Sequence, residues 1–356
     1  MASPVTEAAQ RIFADLADPQ AVNRDASGAW KAPLWRALEE AGLTLAWVPE
    51  ALGGAGARLA EGFEVLAAAG RYALAAPLAE TLLAGWLLAR GGLAAPAGMM
   101  SLAPAQPAEP IALDAEGTLR GRARAVPFAP EAAHFAVLAQ GANGVHVALV
   151  EARACKVDAG KNLAGDSRGE VVFDGTKALM HAPADVDATA LALIGCTARA
   201  VQSAGALAAL LELALRYAGE RVAFERPIGR FQAVQHNLAR LAGEASAALA
   251  ASASAADVIA RAERIDEGVF PFDEGAFLEV AAAKIRCAEA AHEGAAIAHQ
   301  LFGALGYSQE HILHRFTLRL LAWREDFGNE SQWAAELGRR VAARGADELW
   351  PLIAAR

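Results

Sequence analysis

The chain has 356 residues, of which 55% belong to the set AVILMFWYC and 21% are charged, with a net charge of −9. That length supports one large domain or two to three small ones with a core of their own, and the apolar content is too high for a disordered chain. The acidic balance argues against nonspecific nucleic-acid binding.

Both ends of the chain are alanine-rich, and alanine is the best helix former. Ser3-Pro4 has the form of an N-cap followed by proline at the first helical position, and Ala8, Ile12, Phe13 and Leu16 recur at helical spacing. The first twenty residues lack a basic run followed by an apolar core, so no secretory signal is expected. A second helix is expected over Ala32–Ala41, stopping at Gly42. A glycine-rich loop follows at 50–56, and helices resume from Ala60 to about Arg90 with breaks at Gly70 and Pro77. The longest apolar runs, such as Leu82–Ala89, are too short to span a bilayer.

Composition then shifts. Prolines cluster at 96, 104, 107, 110, 127 and 130. Residues 134–150 hold two β-type runs around Gly141-Ala-Asn-Gly144, a hairpin signal, and 170–174 is a further strand candidate ended by Gly175. From Ala188 the chain turns helical again. One long helix is expected to Glu225, stopping before Pro227, with others at 232–261, 274–301 and 331–344. The layout is mainly α with a small central β domain: a helical region over 1–98, a β region over 99–185 and a helical bundle over 186–356. Cys155, Cys196 and Cys287 form neither a disulfide framework nor a CxxC pair, which points to a reducing cytoplasm.

Three stretches carry chemistry. In Arg221-Val-Ala-Phe224-Glu-Arg226-Pro-Ile-Gly-Arg230-Phe231-Gln232, three arginines gather at a helix–turn–helix corner that could hold a diphosphate, because guanidinium forks match phosphate oxygens. Its bland reading is a solvated surface. In Gln300-Leu-Phe-Gly303-Ala-Leu-Gly306-Tyr307, glycines permit close approach to a flat ligand, or simply cap a helix. Trp47-Val-Pro-Glu50-Ala-Leu-Gly53-Gly54-Ala-Gly56 could be an interhelix loop. The histidines make no HxxxH or HxH pair. His236 and His299 read as structural, His311 and His314 lack a matching carboxylate pair, and no metal site is expected.

In this order and spacing the three stretches resemble the acyl-CoA dehydrogenase family over nearly the whole chain. WVPEALGGAG resembles its PExxGGxG loop. RVAFERPIGRFQAVQ resembles RxxFGxPIxxFQxxQ, with Glu225 where glycine is usual. HQLFGALGYSQEH resembles QxxGGxGYxxEH, with Ala304 for the second glycine. The resemblance implies an N-terminal helical domain, a β-barrel-like middle domain and a C-terminal four-helix bundle around FAD. It also implies α,β-dehydrogenation of an acyl-CoA thioester and an electron-accepting flavoprotein. It assigns Arg221 to the FAD diphosphate of a neighbouring subunit, Phe224, Phe231 and Gln232 to the adenosine side, and Gln300 and Gly303 to the same cofactor.

The departures are selective. Counting from Gly306, the family's base position falls on Phe327, before Gly328, with Glu325 and Asp326 adjacent; Asp326 is the candidate base. The alternative base position falls near Gly195-Cys196, without a carboxylate. The TEPxxGSD and WITN-type stretches are missing, and Arg319 lacks the aspartate that usually follows that arginine. Residues serving a neighbour's flavin are kept while those serving the chain's own are eroded. That pattern resembles the short subunit of heteromeric α2β2 acyl-CoA dehydrogenases, including those acting on steroid side-chain CoA thioesters. The alternatives are a self-sufficient homo-oligomer using Asp326 or Glu325, a non-catalytic structural relative, and a flavin monooxygenase of the same fold.

Overall fold

The computed structural model describes residues 3–25, 27–106, 110–262 and 272–354. The N-terminal third is helical: α1 (Pro4–Leu16), α2 (Pro19–Arg24), α3 (Lys31–Glu40), α4 (Leu59–Arg71) and α5 (Leu78–Ala89). Ser3 caps α1 by accepting the Thr6 N–H, with proline at the first helical position. The chain leaves α3 through Gly42 at φ +69°. The 50–56 loop folds back on itself through Gly56 N–H to the Val48 carbonyl and Ala57 N–H to the Ala46 carbonyl.

The middle of the chain is a single sheet: β1 (Met100–Ala103), β2 (Ala112–Leu113), β3 (Thr118–Pro127), β4 (His134–Gly141), β5 (Gly144–Glu151), β6 (Lys156–Lys161), β7 (Ser167–Lys177) and β8 (Met180–Pro183). The strand order is β6-β7-β3-β2-β4-β5-β8, and β1 pairs parallel to β4. The expected hairpin is β4–β5, in register from His134 opposite Glu151 to Gly141 opposite Gly144. Among the described residues the sheet is open, with β6 and β8 at its edges.

The last part is α6 (Ala188–Glu220), a two-stranded hairpin of β9 (Val222–Ala223) and β10 (Arg226–Pro227), α7 (Gln232–Ala262), α8 (Glu274–Phe302), α9 (Leu313–Trp323), α10 (Glu330–Arg344) and α11 (Leu349–Ala354). Helices α6, α7 and α8 pack together, α9 lies against α6 and α8, and α10 lies against α8. Among the described residues, α6 alone is long and apolar enough to cross a membrane, yet 94% of its apolar window is buried inside the fold. It is a core helix.

Two expectations shift. Helix α6 ends at Glu220, five residues short of Glu225. Arg221 is already extended (φ −70°, ψ 116°), and β-branched Val222 with a proline five residues on favours a hairpin over another turn of helix. Gly70 does not break α4; the break is 72–77. Gly70 serves close packing instead. A Cβ there would overlap the Gln202 carbonyl of α6, and a Cβ on Gly205 of α6 would overlap the Ala67 carbonyl of α4. Each helix presents a glycine to the other's backbone, so α4 and α6 touch without side chains between them.

Gly205→Ala forces that contact open. Overpacking costs ~1–3 kcal/mol, and the clash is with backbone, so a loss of about 2 kcal/mol or more is expected in urea unfolding. A change below about 0.5 kcal/mol, the usual scatter for surface substitutions, would show that the helices part freely.

Candidate functional site

The first two residue sets meet at one end of the bundle. Helices α6 and α8 are each antiparallel to α7, so their C-terminal ends lie side by side. Tyr217, in the last turn of α6, stacks on Phe302, the last residue of α8, with ring centroids 4.2 Å apart. Beyond Tyr217 lie Arg221 and the hairpin; beside Phe302 lie Gln300 and Gly303. The turn of the hairpin is Phe224-Glu225, both in the left-handed region at φ +52° and +66°. Phe224 is thereby held outward, 90% exposed. Its ring meets that of Phe231 edge-on at 6.2 Å, and the Arg226 guanidinium lies 4.1 Å over the Phe231 ring. Gln235 Nε2 donates to the Gly229 carbonyl and ties the corner to α7.

Arg221, Arg226 and Arg230 are all exposed, and among the described residues none has a carboxylate within ion-pair distance. Three uncompensated guanidiniums at one corner of an acidic chain form a local anion site. Gln232 is exposed at the start of α7, and Gln300 and Gly303 border a concavity of ≈ 740 Å³ with His299 and Tyr307. Gly303 leaves α8 at φ +58°. His311 and His314 are used locally: His311 Nδ1 accepts the Leu313 N–H, and His314 Nδ1 donates to the His311 carbonyl. The described residues hold no cluster of metal-ligating side chains.

The second place is interior, between the sheet and the first turns of α6. A cavity of ≈ 440 Å³ is lined from the sheet side by Ile111, Leu138 and Val145, and from the helix side by Ala188, Leu191 and Ala192, with Phe327 closing it. Its side-chain amides are Gln106 and Gln140, and among the described residues no ionisable side chain lines it. Phe327 has φ +58° and is 2% exposed. Its ring lies on Gly195, where a Cβ would stand 2.5–2.7 Å from three ring carbons. The two positions at which the family resemblance looks for a base are therefore one place in space, filled by a phenyl ring.

Asp326 does not line this cavity. Its Oδ2 accepts from Arg199 Nε at 2.9 Å, and its carbonyl accepts from Lys284 Nζ at 2.7 Å. Arg199, with its side chain 4% exposed, also pairs with Glu80 of α5 and donates to Gln202 Oε1. Lys284 donates again to the Trp323 carbonyl, while Trp333 Nε1 and the Cys196 thiol reach the Phe327 carbonyl. Burial pushes the Glu80 carboxyl up, lowers the Lys284 ammonium and pushes the Cys196 thiol up to about 12. Asp326 belongs to the hardware that holds the Phe327 turn, and stands about 24 Å along α8 from Gln300, sixteen residues past its Lys284 contact. Arg319, expected without its aspartate, pairs with Asp166 from the turn between β6 and β7. Glu80, Arg199 and Lys284 escape a motif search. Their signal is a lone charge inside an apolar helical run.

An acyl-CoA dehydrogenase N-terminal domain model matches residues 3–95, and an acyl-CoA dehydrogenase C-terminal domain model matches residues 193–341. The acyl-CoA dehydrogenase FadE27 of Mycobacterium tuberculosis is 30% identical over 334 residues, covering 87% of this chain and 88% of the relative. The acyl-CoA dehydrogenase IpdE2 of the same organism is 28% identical over 319 residues, covering 89% and 86%. Among solved structures, a chain of the ChsE4-ChsE5 complex from Mycobacterium tuberculosis superposes with a TM-score of 0.81 at 25% identity, covering 95% of this chain and 96% of that one. A variant of the Tcur3481-Tcur3483 steroid ACAD superposes with a TM-score of 0.80 at 26% identity, covering 95% and 97%. The chain belongs to the acyl-CoA dehydrogenase family of FAD-dependent oxidoreductases. Of its two places, the bundle end fits that cofactor, with cations for a diphosphate, aromatic faces and amides for an adenosine. Among the described residues the interior cavity offers a ring system only apolar walls and two amides.

Arg199→Met strips Glu80 and Asp326 of their cation. The Glu80 carboxyl, already raised by burial, rises further, so the folded variant retains a proton that the unfolded chain releases near pH 4.3. Stability then falls as pH climbs above that value. The expected loss is about 3–5 kcal/mol at pH 8 and smaller at pH 4, by urea unfolding; equal losses at both would show that charge burial is not the cause. Glu225→Gly removes one left-handed side chain and should raise stability by about 1 kcal/mol. An unchanged unfolding midpoint would mean the turn is unstrained.

Proposed function

We propose that this chain is one subunit of a heteromeric acyl-CoA dehydrogenase, an α2β2 assembly in which it lends its bundle end to an FAD held jointly with a longer chain of the same family. The observation that carries this reading is the split between the two places. The corner that would face a neighbour keeps three free guanidiniums, Phe224, Phe231, Gln232, Gln300 and Gly303. Among the described residues the chain's own cavity has no ionisable side chain, and Phe327 stands where a carboxylate would act. The heteromeric names of two structural neighbours, ChsE4-ChsE5 and Tcur3481-Tcur3483, support the assembly.

FAD, when bound, supplies the acceptor for the hydride that leaves the β-carbon of an acyl-CoA thioester. The chain's own part is binding. Arg221 meets diphosphate charge, assisted by Arg226 and Arg230. Phe224, projecting from the hairpin, and Phe231 present aromatic faces to an adenosine, and Gln232 and Gln300 present amides to its polar edge, where Gly303 allows close approach. The α-proton is removed by a carboxylate of the partner, and Asp326 is not asked to act as base because Arg199 holds it. Electrons pass on to a separate electron-accepting flavoprotein.

The test is flavin absorbance and native mass, for the chain alone and co-expressed with a dehydrogenase encoded beside it. A colourless chain that yields a yellow, larger complex is expected. A yellow homo-oligomer that oxidises an acyl-CoA by itself would overturn the reading. In the complex, Arg221→Ala removes a charge-assisted contact worth about 1.5–3 kcal/mol, so FAD should bind roughly ten- to a hundredfold more weakly with assembly intact. Unchanged retention would place the diphosphate elsewhere.

A further inference from the structure

We propose that His299 is a proton-sensitive positioning residue of the bundle end: as a neutral ring it seats the turn 303–307 that borders the site, and a proton on its Nδ1 unseats that turn and releases the flavin. The inference rests on the reading above, in which Gln300 and Gly303 meet FAD.

The hydrogen bonds fix the tautomer. His299 Nε2 lies 3.0 Å from Thr317 Oγ1 of α9, and the Thr317 hydroxyl donates to the Leu313 carbonyl at 3.3 Å. A hydroxyl has one proton to give, so Nε2 carries the hydrogen and Thr317 accepts it. Nδ1 is then a bare lone pair, buried and without a hydrogen-bond partner. The opposite tautomer would cost the bond to Leu313 and bury an Nδ1–H with nothing to receive it.

The surroundings leave a proton on Nδ1 nowhere to point. A Cβ on Gly306 would stand 3.2 Å from Nδ1, 3.1 Å from Phe302 Cβ and 2.9 Å from Leu313 Cδ2. That edge of the ring is therefore packed against backbone and apolar side chains. The Tyr307 ring lies over the imidazole with centroids 4.7 Å apart, and Gly303, Gly306 and Tyr307 belong to one 3-10 turn. The other titratable groups around it are Tyr307 itself, His292 on the same concavity, and Glu310, His311 and His314 in the segment entering α9. Glu293 on α8 pairs with Arg240, and the α9 cations Arg315 and Arg319 gather about Asp166. None of these bonds Nδ1. Burial holds the imidazole below its ordinary value. An imidazolium must swing its Nδ1–H toward water, and Gly306 and Tyr307 stand in the way. The unseated ring takes its proton near the ordinary value of about 6.5 and the seated ring at lower pH. The seated turn is thus fully present above about pH 6.5 and is lost as pH falls below it.

The test follows FAD retention by absorbance in the assembled complex as pH is lowered, and the histidine nitrogen and Tyr307 ring resonances of the full chain alone over the same range. The wild-type complex should hold FAD about tenfold more weakly at pH 5.5 than at pH 7.5, because an unseated imidazole is about nine-tenths protonated at the lower pH. His299→Gln keeps an Nε2–H for Thr317 and does not titrate, so its complex should hold FAD equally at both. His299→Leu has no donor and should weaken FAD about threefold at both, the scale of one neutral hydrogen bond. In the chain alone, His299 should show the Nε2–H tautomer at pH 8, and the Tyr307 ring should shift as His299 takes its proton. A His299→Gln complex that keeps the wild-type pH dependence overturns the proposal, as does an Nδ1–H tautomer at pH 8. If circular dichroism shows that His299→Gln does not fold, the tautomer and the Tyr307 shift decide. A complex without flavin at any pH refutes the shared-site reading, while the Tyr307 shift in the chain alone still upholds the seating of the turn, so the two failures are told apart.

Discussion

The guanidinium of Arg199 is the point on which the interior turns. It sits on the core helix α6 and meets Glu80 of α5 on one side and Asp326 of the turn after α9 on the other. One cation thus joins three segments far apart in sequence. Two buried carboxylates facing one guanidinium do not make an efficient source of stability, because desolvating three charges costs about what their attraction returns. Its effect is geometric. With Lys284 holding the Trp323 and Asp326 carbonyls, it fixes the 323–328 turn in a left-handed conformation at Phe327 that a phenylalanine would otherwise avoid. The shape of the cavity follows from that turn.

Much of this was legible in the sequence, and the limits are physical. The helices follow from alanine content and apolar spacing, and β4–β5 from its Gly-Ala-Asn-Gly turn, because both signals are local. Strands β1, β3, β6 and β8 are stabilised by partners tens of residues away, so their own residues announce little. The same holds for ion pairs: Arg319 looks unpaired along the chain because Asp166 lies in the sheet. Base-position counting reached Phe327 and Gly195 separately. Only the fold shows that they touch, and that Asp326, the candidate base one residue from the base position, is turned toward Arg199 instead. A shift of one residue at a tight turn reverses the direction of a side chain, so proximity in sequence does not fix which way a side chain faces.

The hairpin after α6 shows the opposite kind of retention. Its two-residue turn needs left-handed backbone at both positions, which favours asparagine and glycine, yet Phe224 and Glu225 occupy them. Strain of that kind persists where the surrounding structure imposes it and clusters at functional sites. Here its product is a phenyl ring exposed to solvent beside free guanidiniums, a poor arrangement for an isolated chain and a suitable one for a surface completed by a ligand and a partner. Two of the left-handed turns in this fold, Phe224-Glu225 and Phe327, each present one phenyl ring, the first outward and the second inward.

Helix α8 connects those two ends. Lys284 in its middle secures the turn that carries Phe327, and Gln300 and Gly303 at its end border the outer corner. Tyr217 against Phe302 and the glycine contacts of α4 with α6 hold the neighbouring helices at backbone distance. Interiors packed this closely transmit displacement rather than absorb it. Gln300 at the bundle end stands about 24 Å along α8 from Lys284, at roughly 1.5 Å of helix per residue. On the proposed reading, rigid coupling between the interior and the bundle end lets the chain's fold present that end to another chain's chemistry.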